Sequence, residues 1–83
     1  MKIETKYEIG QRIWVVYEYK GEVHVYEDEV MEICLTQKGI VYFPKFDGDE
    51  LDENEIILYE DTEKLVNKIK EVMEEIKKNE KNV

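Results

Sequence analysis

The apolar positions of this chain change their period once, near residue 60. Before that point they recur mainly at every second residue in short runs, the spacing of strands; after it they recur at three and four, the spacing of a helix. Ile13-Trp14-Val15-Val16-Tyr17-Glu18-Tyr19 is rich in β-branched and aromatic residues and predicts a first strand. Both of its alternating sets hold apolar members, so its middle is expected to be covered on two sides. Lys20-Gly21 predicts a tight hairpin turn, and Val23-His24-Val25-Tyr26 resumes the strand pattern. The alternation then fails across Glu27-Asp28-Glu29 and returns as Val30, Ile33 and Leu35, which predicts a bulge or sharp bend in a long strand. Gln37-Lys38-Gly39 is a second turn, and Ile40-Val41-Tyr42-Phe43 a third strand that Pro44 ends or edges. Asp47-Gly48-Asp49 is a third turn, Leu51 anchors a short strand or loop, and Ile56-Ile57-Leu58-Tyr59 is the last strand.

Beyond it, Leu65, Val66, Ile69, Val72, Met73 and Ile76 form one apolar stripe of helical period. Asp61 is the expected N-cap, Glu63 sits where the helix dipole favours an anion, and Lys77, Lys78 and Lys81 lie where it favours cations. The expected domain is single, 1–83, with a barrel over about 7–60, a helix over about 62–79 and a frayed tail over 80–83. The fold class is α+β: a small curled antiparallel barrel of four or five strands, SH3-like, with the helix covering an open side that includes Trp14 or Val16.

Charge changes this picture, because it is not evenly spread. Residues 1–21 and 62–83 each carry net +1, whereas residues 22–61 carry thirteen acids against Lys38 and Lys45, net −11. A net charge of −9 disfavours nucleic-acid phosphates and anionic lipid and favours a basic partner. The chain has no apolar run of the length that spans a bilayer and no signal-peptide pattern near Met1, and its single cysteine excludes an internal disulfide; a cytoplasmic location is expected.

Catalytic chemistry finds little here. There is no serine, so a Ser-His-Asp triad is impossible, and the lone histidine, His24, lies ten residues from the lone cysteine, Cys34. One Cys and one His do not make a zinc site. The oxygen-rich stretch 47–55 misses the calcium-loop pattern, with Leu51 in the fifth position and Asp52 in place of the required glycine. No phosphate-binding glycine motif occurs. The expectation is no catalytic residue, no metal and no cofactor.

Four segments carry a resemblance: Tyr7-x-Ile9-Gly10-x-x-Ile13, Val30-x-x-Ile33, Gly39-Ile40-Val41-Tyr42, and Tyr59-x-Asp61-x-Glu63 ahead of the helix that begins at Leu65. Over about residues 7–76 the chain resembles small phage and prophage proteins of Firmicutes that pair an SH3-like barrel with a C-terminal helix. The resemblance implies a fold and a mobile-element origin but no activity. The acidic segment 47–55 departs from it, being longer than the connection needs. Charge and resemblance together give the functional expectation: a non-catalytic inhibitor whose carboxylates mimic nucleic-acid phosphates. Asp47, Asp49, Glu50, Asp52, Glu53 and Glu55, with Glu27, Asp28, Glu29 and Glu32, would face a basic host protein that handles nucleic acid, such as CRISPR or other defence machinery. The protein would act as monomer or homodimer, without direct contact to nucleic acid or membrane. The alternative is a small structural or regulatory interaction module that uses exposed aromatic residues, its acids serving solubility and edge protection.

Overall fold

The computed structural model of the chain describes residues 4–46 and 48–81. Five strands, β1 (Arg12–Tyr19), β2 (Glu22–Thr36), β3 (Gly39–Pro44), β4 (Leu51–Asp52) and β5 (Ile57–Leu58), precede one helix, α1 (Thr62–Lys81). The strands form a curled antiparallel sheet in the order β4-β3-β2-β1-β5, an SH3-like α+β architecture.

The β1–β2 hairpin closes in two residues, with Tyr19 opposite Glu22. Lys20 and Gly21 both take positive φ, 52° and 77°, the geometry whose twist matches that of the flanking strands. The long strand β2 does not lose its alternation at Glu27-Asp28-Glu29. Tyr26, Asp28 and Val30 continue on the core side, opposite Val15, Ile13 and the lead-in to β1, and the register slips between Val30 and Glu32 instead. One residue, Met31, is therefore extra, which moves the inward set from even to odd numbers so that Ile33 faces the core again. The expected break was real but three residues early, because Asp28 is a buried polar group sitting in an apolar position.

The core is Tyr7, Ile13, Val15, Val30, Tyr42 and Ile56, with Tyr26, Ile33, Ile40, Leu51 and Leu58 packed around it. Tyr7 and Tyr42 meet edge to face at 5.4 Å, and the Tyr42 hydroxyl accepts the Tyr7 N–H at 3.4 Å, pinning the lead-in over the sheet.

The opposite face of β1 carries Trp14 and Val16, with Ile57 of β5 paired beside Trp14. Helix α1 lies on this face, against β1 and the first part of β2. Asp61 caps it as expected: its Oδ1 accepts the Lys64 N–H at 3.1 Å, and Lys64 Nζ reaches back to the Ile56 carbonyl. The helix runs to Lys81, so Glu80 and Lys81 belong to it rather than to a frayed tail. Its stripe is covered unevenly. Val72 is buried and Leu65, Ile69 and Ile76 half-buried, while Val66 and Met73 keep 47% and 46% exposure. No helix among the described residues is long and apolar enough to cross a membrane.

Candidate protein-binding surface

The fold divides the acidic residues into three groups. Asp28 is the first, and it is not on the surface: it retains 3% exposure. Its Oδ1 accepts the N–H groups of Glu29 at 2.7 Å, Lys45 at 3.0 Å and Phe46 at 3.3 Å, and Oδ2 shares the Phe46 N–H. The carboxylate thus ties the bend of β2 to the chain leaving β3. The expectation that Asp28 meets a partner is corrected by this geometry, since a buried anion holding three backbone donors has no free face to offer.

The second group is paired at the surface. Glu27 forms an ion pair with Arg12, whose guanidinium also lies over the Tyr59 ring at 4.6 Å. Glu29 Oε1 is 3.2 Å from Lys45 Nζ. Both carboxylates face solvent in part, but the cation beside each removes most of its distant field.

The third group is gathered by β3. Strand pairing sets Cys34 opposite Val41, and Val41 opposite Asp52, so Glu32, Cys34 and Asp52 project from the outer face, away from Tyr42 and Leu51. The Cys34 thiol donates to Glu32 Oε1 at 2.9 Å. That hydrogen bond, reinforced by the negative charges of Glu32 and Glu50, raises the thiol pKa above its ordinary value. Cys34 is therefore a protonated, weakly nucleophilic thiol at neutral pH. Glu32 of β2 and Glu50 beside β4 flank β3 from opposite sides. Glu53 and Glu55 follow in the turn after β4. There Asp52 Oδ1 accepts the N–H groups of Asn54 at 2.8 Å and Glu55 at 3.0 Å, and Glu55 Oε1 accepts the Asp52 N–H at 3.1 Å. Asp52 and Glu55 therefore shape their own turn as well as contributing charge. Asp49 is exposed beside them, and Asp47 lies outside the described residues. Of the stretch 27–32, Asp28 is buried and Glu27 and Glu29 are ion-paired, so Glu32 is the acid that adds its charge to those of 49–55, and the two acidic stretches meet over a smaller area than their sequence count implies.

A different surface lies at the hairpin end. His24 stacks on Tyr17 at 5.1 Å with 16° between the rings, Tyr19 approaches His24 edge on at 6.2 Å, and Tyr26 meets Tyr17 edge to face at 5.9 Å. Tyr17 and Tyr19 are 42% and 56% exposed. His24 Nε2 is 3.4 Å from Glu22 Oε2, within ion-pair range when protonated but too poorly aligned for a hydrogen bond. His24 and Cys34 have different neighbours, Tyr17 and Tyr19 for one and Glu32 for the other. The cross-strand pairing of Tyr17 with His24 was open to sequence reasoning once the two-residue turn was fixed, because the register follows from it.

Among the described residues, no group of three or more His, Cys, Asp or Glu side chains is arranged to hold a metal ion. Compared with protein-family models, with curated proteins and with solved structures, the chain matches none.

Proposed function

We propose that this chain is a non-catalytic protein-binding domain whose outer β2–β3–β4 face, with Glu32, Asp49, Glu50, Asp52, Glu53 and Glu55, docks on a basic protein surface. The observation that carries this reading is the charge of residues 22–61, thirteen acids against two lysines, of which Lys45 is already engaged by Glu29. An excess of carboxylates projects a field about a Debye length, ~8–10 Å, and that accelerates encounter with a basic surface. Its finer form is a phage-type inhibitor: the basic surface is one that otherwise receives nucleic-acid phosphates, as in host defence machinery. What supports that form is the concentration of negative charge, which repels phosphates and attracts the basic residues that bind them.

The test is a variant that removes charge while sparing the turn: Glu32→Gln, Asp49→Asn, Glu50→Gln and Glu53→Gln, with Asp52 and Glu55 kept. Partner capture from host lysate at low salt should fall roughly tenfold or more, with circular dichroism unchanged, since exposed carboxylates contribute little to stability. Duplex DNA should elute the captured partner if the phosphate-mimic form holds. Capture that is equal for both proteins and indifferent to salt would remove the acidic face as the binding surface. In that event the cluster of exposed Tyr17 and Tyr19 around half-buried His24 is the second reading, and Tyr17→Ala with Tyr19→Ala should abolish capture.

A further inference from the structure

The long strand β2 changes partner along its length and is paired on one side at a time. From Glu22 to Glu29 it pairs with β1, whereas β3 pairs with it only from Val30 onward. The direction of the backbone groups follows from two bonds that bracket the bend. Val30 donates to the Gln11 carbonyl on the β1 side, and the Glu29 carbonyl accepts the Lys45 N–H on the other. Groups in an antiparallel ladder alternate side by side, so Val23, Val25 and Glu27 turn their N–H and C=O groups away from β1, like Glu29. Among the described residues, no strand pairs with them there.

We propose that this open edge of β2, residues 22–27, accepts an extended strand from a basic protein partner. The proposal rests on the reading of the chain as a domain that binds a basic partner, and it locates a second point of contact. Apolar chemistry fixes one face of the incoming strand. Val23 and Val25 share the helix side of the sheet, and Val25 is 40% exposed, unusual for a β-branched residue inside a strand. Val23 lines a groove of about 460 Å³ whose walls include Gly21, Met73 and Ile76, so an apolar side chain opposite Val23 has a place to go. Charge fixes the flanks. Glu22 stands at one end of the edge and Glu27, shared with Arg12, at the other, and residues 22–29 carry no lysine or arginine. Cross-strand pairs of opposite charge stabilise an added strand, and like charges directly opposite oppose it. A second copy of this chain, at net −9 and presenting the same acids, is therefore disfavoured against a strand whose apolar centre is flanked by Lys or Arg.

The test uses a fluorescent peptide of about ten residues, alternating valine and threonine with lysines at both ends, long enough to span the edge. Three peptides are compared: this one, a version N-methylated at alternate amides along the docking edge, and a glutamate-flanked version. Amide hydrogen exchange of the protein reads the site. The lysine peptide should slow exchange at Val23, Val25 and Glu27 by roughly tenfold, and both altered peptides should bind at least roughly tenfold more weakly. Val25→Lys, which adds charge at an exposed position, should lose binding of the lysine peptide with the fold intact by circular dichroism. Equal binding of the N-methylated peptide would mean attraction by charge without strand pairing; it would overturn the edge proposal and leave the basic-partner reading standing. Absence of protection at the three amides would also overturn it. Protection that appears without peptide and grows with protein concentration would give the edge to a second copy and overturn it as well.

Discussion

Asp28 shows how one residue decides a local architecture. Its side chain occupies an inward position between Tyr26 and Val30, where the pattern calls for an apolar group, and it satisfies three backbone N–H groups. A buried donor left unpaired costs about 1–3 kcal/mol. Asp28→Ala strands the donors of Glu29 and Phe46 and leaves the Lys45 N–H with the Glu29 carbonyl alone, and we expect a loss of roughly 3 kcal/mol, measured by urea unfolding. Asp28→Asn keeps one acceptor oxygen and should lose less. A variant as stable as the parent would show that water replaces the carboxylate there. In sequence Asp28 is one acid among several, and no periodicity separates it from Glu27 and Glu29. What separates it is the direction of its side chain, which depends on a register set by a turn eight residues away.

At the scale of elements, the ends are set locally and the lengths are not. The Lys20-Gly21 turn and the Asp61 cap are legible because each solves a local problem, positive φ in one case and unpaired helix N–H groups in the other. Asp61→Ala should cost about 1 kcal/mol, seen as a lower thermal midpoint, and Asp61→Ser should recover most of it. A loss of helix signal without a change in midpoint would mean that packing on β1, not the cap, holds the first turn. Strand lengths followed distant partners instead. Ile56 and Tyr59 belong to the apolar run of the last strand, yet the strand itself is Ile57 and Leu58, with the Tyr59 N–H donating to the Arg12 carbonyl at its end. Ile56 turns into the core, and Tyr59 stacks on Trp14 at 4.9 Å while its carbonyl accepts the indole N–H at 2.9 Å.

For the whole molecule, shape and charge act together. The hairpin and the 20-residue helix run side by side, giving extents of 51 × 28 × 21 Å. The radius of gyration, 14.4 Å, exceeds the ~12 Å of a compact domain of this length. An elongated body leaves much of the acidic middle at the surface, where like charges repel. Raising ionic strength from about 0.01 to 0.15 M shortens the screening length from ~30 to ~8 Å. We expect this to stabilise the fold by roughly 1 kcal/mol, about 4–8 °C in thermal midpoint. The variant with Glu32, Asp49, Glu50 and Glu53 neutralised should show a much smaller rise. An equal rise in both proteins would place the repulsion elsewhere.

The sequence by itself determined the order of strands and helix, the hairpin turn, the helix cap and the concentration of acid between residues 22 and 61. Each is written in neighbouring residues, through period, turn chemistry or composition. The tertiary structure decided which acids can act. Asp28 was withdrawn into the bend, Glu27 and Glu29 were matched with Arg12 and Lys45, and Glu32 was brought across β3 toward Glu50 and Asp52. It also left the first half of β2 open where β3 turns away. These outcomes depend on which residues meet across strands far apart in the chain. The single extra residue at Met31 reverses which side chains face inward from there on, and composition carries no trace of it.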